Sequence, residues 1–221
     1  MLTFSILALV ILGYADALPS KGHLRTSCDL SCARLQVPAN QTQLIAPTYA
    51  PSFIGIGVGT QNYTCNATES TYALVGAVAE LFDSSCLYGT PTFESAPTTV
   101  YDVWSATTGI TIQEVITMMG LTHDSTVLGQ HYYVLNPVGG TSHHLGVTAG
   151  NSNAYVIGAK IGDLPSSNSS NIDNLMVKAV EGELAVEVFR VDTNGGQPPT
   201  KCVAGDSNIT VKYTAQYWFF Q

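Results

Sequence analysis

The chain has 221 residues, a net charge of −8 and only 11% charged residues. This length fits one domain with a core of its own, and the acidic balance excludes the basic surfaces that hold nucleic acid or anionic membranes. Average soluble proteins are about 25% charged, so solubility here must rest on Ser, Thr, Asn and Gln.

Phe4 to Leu12 form an unbroken apolar run, followed by Ala15-Asp16-Ala17. The run is far shorter than the ~20 residues that span a bilayer. It ends in the Ala-x-Ala pattern of a cleavage site, so residues 1–17 are predicted to be a secretory signal peptide with no membrane span after its removal. Five Asn-x-Ser/Thr sequons follow, at Asn40, Asn62, Asn66, Asn168 and Asn208. In a secreted chain these are candidate glycosylation sites, and Cys28, Cys32, Cys65, Cys86 and Cys202 are candidate disulfide partners. The odd count leaves one cysteine over, and spacing leaves the pairing open. Cys28-Asp-Leu-Ser-Cys32 has the spacing of one arm of a zinc site, but no second pair follows, so no metal is expected.

Residues 18–50 are rich in Pro, Ser, Gln and Asn with weak periodicity, and are read as an irregular N-terminal arm ahead of a β-rich domain at 51–221. The first predicted strand covers 53–58. Its Gly55-Ile-Gly57-Val-Gly59 invites comparison with a dinucleotide-binding loop, but that loop must end a strand and open a helix. Glycines that let a strand bend or approach another backbone account for it better, and no cofactor is expected. A second strand is predicted at 77–82.

Thr111 and Glu114 form a capping box, with Ile110 and Val115 placed as a hydrophobic staple. Ile112, Val115, Ile116 and Met119 recur at helical spacing before Gly120, so one short helix is predicted over 111–119. Further strands are predicted at 131–135, 155–160 and 183–191, the last with Leu184, Val186 and Val188 on one face. A polar loop runs through 164–171, and the Asn-Gly and Pro-Pro of 193–199 turn the chain. From Ile209 to Phe220 one face carries Ile209, Val211, Tyr213, Ala215, Tyr217 and Phe219, and the other Thr210, Lys212, Thr214 and Gln216. That period of two predicts a half-buried strand. Many strands, one short helix and Gly/Pro-rich turns predict a mainly β fold, a single-domain β-sandwich or barrel-like domain.

Candidate chemistry is sparse. His123, His131, His143 and His144 lack metal-ligand spacing, and adjacent strand residues point to opposite faces. No Gly-x-Ser-x-Gly elbow occurs. Glu80, Asp83, Glu94, Asp102, Glu181, Glu183 and Glu187 supply carboxylates without a pairing readable from spacing. Glu183 and Glu187, on one strand face, would lie roughly 13 Å apart, too far for a glycosidase pair. Aromatic side chains can stack on a sugar face, which makes His131, Tyr133 and Trp218 the candidate ligand-facing residues. No catalytic residue is assigned.

Six segments carry a resemblance: Cys28-Asp-Leu-Ser, Gly57-Val-Gly-Thr-Gln-Asn-Tyr-Thr-Cys65, Val75-Gly-Ala-Val-Ala-Glu-Leu-Phe-Asp83 with Cys86, Gly129-Gln-His-Tyr-Tyr133, Val188-Phe-Arg-Val-Asp-Thr-Asn-Gly-Gly-Gln-Pro-Pro199 with Cys202, and Val211-Lys-Tyr-Thr-Ala-Gln-Tyr-Trp-Phe-Phe220. Together they resemble an uncharacterised secreted family of filamentous fungi, with bacterial relatives, often labelled malate dehydrogenase-like. The family brings no established activity. It often has a Trp where this chain reads Asp173-Asn-Leu-Met176, and a Trp-containing stretch where it reads His143-His144-Leu-Gly, which implies that this member binds any ligand served by those tryptophans differently or not at all. The expectation is a secreted, glycosylated, non-enzymatic protein that binds wall polysaccharide or a host surface. The alternatives are an extracellular carbohydrate-active enzyme with a carboxylate pair, and the oxidoreductase of the label.

Overall fold

The computed structural model describes residues 28–120, 127–135, 141–147 and 154–221, with 134–135 and 141–147 as backbone. Eight strands are described: β1 (Phe53–Asn66), β2 (Thr71–Asp83), β3 (Gly129–Leu135), β4 (Thr141–Val147), β5 (Tyr155–Leu164), β6 (Asn174–Gly182), β7 (Glu187–Gly195) and β8 (Ile209–Phe220). Each pairs antiparallel with the next, and β8 returns to pair with β1, closing an up-and-down barrel. Of the two expected architectures, the barrel is the one formed.

The β1–β8 register runs from Phe53↔Phe219 to Tyr63↔Ile209. It puts the odd-numbered residues of both strands on the inner face, as the alternation in β8 requires. Phe53, Leu81, Val156, Val177, Val188, Tyr217 and Phe219 form the inner core. Gly57 and Gly59 belong to the same face. A Cβ on Gly57 would lie 2.4 Å from the Tyr217 ring, and one on Gly59 2.1 Å from the Val78 carbonyl. The glycine run therefore serves close approach inside the barrel.

The outer face of β1, β7 and β8 is covered too. Leu30, Ala33, Leu35 and Leu44 from the segment before β1 pack with Ile54, Phe189, Trp218 and Phe220. Two helices, α1 (Pro91–Ala106) and α2 (Ile112–Met119), cover Ile56, Val58 and Phe82 with Ala96, Val100, Val115 and Ile116. The capping box on α2 forms as predicted, with Glu114 accepting from the Thr111 N–H at 2.7 Å and Gly120 ending the helix at φ 56°.

α1 was not expected, and it changes the reading of β8. Pro97 sits inside it, so the Phe93 carbonyl loses its usual N–H donor. Gln216 Nε2 donates to that carbonyl at 3.2 Å, and Gln216 Oε1 accepts from Trp218 Nε1 at 3.0 Å. Thr214 Oγ1 donates to the Pro97 carbonyl at 2.6 Å. Lys212 Nζ donates to the Trp104 and Thr107 carbonyls, 2.7 Å each, at the end of α1. The face of β8 expected in water is instead buried at Thr214 and Gln216, which satisfy carbonyls of α1. Gln216→Leu leaves two buried groups without partners and is expected to cost about 2–4 kcal/mol. A lowered denaturant midpoint at unchanged slope checks this.

Other elements and boundaries differ too, with β1, β2, β3 and β5 all longer than the spans expected at 53–58, 77–82, 131–135 and 155–160. β4 and β6 were not expected. The strand placed at 183–191 begins at Glu187, because 183–186 form the β6–β7 turn, so Glu183 and Glu187 do not share a strand face. β7 then runs to Gly195 through a register shift between Val191 and Asn194, where Asp192 has φ 49°.

Candidate ligand-binding site in the barrel mouth

Two irregularities in the pairing lie near one end of the barrel. β1 shifts register at Asn62/Tyr63, and β5 shifts between Lys160 and Gly162. Such bulges re-aim side chains at barrel rims. A cavity of about 430 Å³ opens here. β1 contributes Gln61 and Tyr63, β2 Tyr72 and Leu74, and β3 Tyr133. Lys160 and Asp163 come from β5, Asp173 from the stretch before β6, and Arg190 from β7. Gln197 and Pro198, after β7, complete the rim.

Arg190 is 7% exposed and carries the site's buried charge. Its Nη2 and Nε donate to the Asp173 carbonyl at 2.8 and 3.3 Å. Its Nη1 meets no acceptor in hydrogen-bonding geometry, nor does Nε2 of Gln61, which is 1% exposed. Asp163 Oδ1 likewise has no donor. Among the described residues these three are the buried side-chain polar atoms without a partner, and all belong to residues lining this cavity. Native structures bond most such atoms, and each orphan costs about 1–3 kcal/mol.

Asp163 pairs with Lys160 through Oδ2. Burial, then the charge of Asp163 and a hydrogen bond with it, raise Asp173 above the ordinary aspartate value, with Arg190 and Lys160 partly offsetting this. Tyr63 donates to the Gly196 carbonyl at 2.7 Å and is pushed up to about 12 by burial, against the pull of Arg190. Burial also raises Tyr133. Below the cavity, Tyr213 Oη and Tyr217 Oη are 2.9 Å apart, and His131 Nδ1 lies 3.3 and 3.4 Å from them. Burial first of all raises both tyrosines, so these phenols stay protonated and serve as neutral hydrogen-bonding groups.

Of the residues singled out from sequence, Tyr133 lines the cavity and His131 lies fully buried on the inner face. Trp218 does not reach it. The ring sits on the outer face, 3% exposed, edge-on to Tyr88 and Phe93. The side chains of His143 and His144, and the whole of His123, lie outside the described residues. Among the described residues no three His, Cys, Asp or Glu side chains converge as metal ligands, and no helix is long and apolar enough to cross a membrane.

Cys28 pairs with Cys86 and Cys65 with Cys202, leaving an exposed Cys32. Asn40, Asn168 and Asn208 are exposed. Asn62 is half-buried on β1 and accepts from Thr210 Oγ1 at 3.2 Å. Half-buried Asn66 accepts from the Thr68 and Glu69 N–H groups in the β1–β2 turn.

None of Glu80, Asp83, Glu94, Asp102, Glu181, Glu183 and Glu187 lines the cavity. The acids that do, Asp163 and Asp173, lie ten positions apart with no motif to join them. Arg190 did leave a signal, since it falls in phase with Val188 on the inward face of an apolar strand.

Comparison with curated proteins and with solved structures gives no match. A family described as a protein of unknown function (DUF3455) matches residues 46–221, which takes in all eight strands, both helices and every residue of the cavity. The chain belongs to this DUF3455 family.

Proposed function

We propose that this is a secreted, glycosylated binding protein whose barrel mouth holds an oxygen-rich small unit, such as one residue of a wall polysaccharide or surface glycan. The observation that carries the reading is that Arg190 and Gln61, each with a buried donor atom left without a partner, line one tyrosine-rimmed cavity. Barrel mouths are common ligand sites, and pockets of ~300–1,000 Å³ suit small ligands. Tyr63, Tyr72 and Tyr133 offer aromatic faces with polar edges. The apolar leader, the sequons and two disulfides support an extracellular setting.

A hydrolytic reading finds less support. Glycosidase carboxyls stand ~5–9.5 Å apart with a nucleophile or water between them, whereas Asp163 is engaged by Lys160 and lies close enough to Asp173 for the two charges to raise Asp173. The test is retention of the native protein on chitin, β-glucan, mannan and polygalacturonate, with soluble sugar assayed in the same tube. Retention on at least one polymer without product, weakened at least tenfold by Tyr133→Ala, is expected. Retention on none overturns the proposal, and release of product makes the protein an enzyme.

A further inference from the structure

We infer that the barrel mouth selects a ligand bearing a carboxylate, which Arg190 and Gln61 receive with their free N–H groups. This rests on reading the mouth as a binding site and names the chemistry of its occupant.

The argument is one of unmatched charge and polarity. A guanidinium taken out of water needs an anion or a full set of acceptors. Arg190 has one backbone carbonyl, the Tyr217 hydroxyl beside it and, among the described residues, no ion pair. The nearby acids form no ion pair with it. Asp163 is paired with Lys160, and Asp173 meets Arg190 through its backbone carbonyl. Two of the three orphans, Arg190 Nη1 and Gln61 Nε2, are donors, so the group they lack is an acceptor. A carboxylate offers two oxygens to such donors and cancels the charge. Leu74 and the tyrosine rings offer the rest of the ligand an apolar and aromatic wall.

The site also carries a pH dependence. The groups facing Arg190 are Lys160 and Asp163 from β5, Asp173 ahead of β6, and the hydroxyls of Tyr63, Tyr72 and Tyr133 from β1, β2 and β3, with His131, Tyr213 and Tyr217 beneath. Asp173 ionises at a higher pH than an ordinary aspartate, and its charge then competes for Arg190, so affinity for a carboxylate falls as pH rises through that ionisation. Asp173→Asn removes most of that fall.

The experiment is an NMR titration of the native protein with galacturonate, galactose and succinate. Galacturonate is expected to bind at least tenfold more tightly than galactose. Succinate binding as tightly as galacturonate also supports the inference, and identifies a simple organic acid rather than a sugar acid as sufficient. Equal affinity for galactose and galacturonate overturns the inference and leaves the binding reading standing. Binding of none of the three overturns the inference, while retention on the four polymers decides the binding reading separately. Arg190→Gln is expected to abolish the preference for galacturonate. Should that variant not fold, Gln61→Glu places an acceptor where the donor stood, and at least a tenfold loss for galacturonate is expected. Unchanged affinity in that folded variant overturns the inference.

Discussion

Trp218→Ala is expected to destabilise the protein by about 3–5 kcal/mol, the range for deleting a large buried aromatic side chain. The indole packs edge-on against Tyr88 and Phe93, with centroids 5.9 and 5.8 Å away. It also fills the layer between the barrel wall and the segment carrying Leu30, Ala33, Leu35 and Leu44. Its Nε1–H holds Gln216 in place to cap the Phe93 carbonyl, so truncation loosens α1 as well. Ligand affinity of the folded fraction, measured below the unfolding transition, should stay within about twofold, because the ring faces away from the cavity. A ligand-facing Trp218 would give the opposite pattern, with small loss of stability and large loss of binding.

Replacing Cys65 and Cys202 together by serine is expected to cost about 3–5 kcal/mol. The bond spans 137 residues, so its loss releases a long loop in the unfolded chain. It also frees the β7–β8 connection, which the Cys202 N–H anchors to the Ser70 carbonyl at 3.0 Å. That connection brings Gln197 and Pro198 to the cavity rim. Binding should therefore weaken along with stability, measurable as a lower denaturation midpoint and a several-fold rise in Kd. The Cys28–Cys86 bond closes a shorter interval of 58 residues and lies away from the rim. Its removal should lower stability while sparing affinity.

How much of this was readable in the residues depended on how simple each environment is. β8 and α2 were legible because a regular period and a complete cap leave little choice. α1 was hidden by Pro97, which argues against a helix unless a distant side chain takes over the freed carbonyl, as Gln216 does. β6 was hidden because Leu175, Met176 and Val177 are buried in succession, against inner and outer layers alike, which erases alternation. In the site, Tyr133 and His131 follow from one strand's phase. The meeting of Gln61, Asp163, Asp173 and Arg190 depends on barrel closure and on two register shifts, and neither leaves a mark in spacing.

Barrel closure also orders events during synthesis. β8 is the last of the barrel strands to be made, and it fills the gap between β1 and β7 with 12 residues. A nascent chain that has emerged only as far as β7 is an open sheet with two unsatisfied edges, prone to recruit strands from neighbours. The Cys65–Cys202 bond can form only once most of the chain has been threaded, and it locks the final connection. The same order makes the molecule divisible. A fragment ending within 196–208 presents a slot shaped for one strand, and a peptide carrying 209–221 is the natural candidate to complete it in trans.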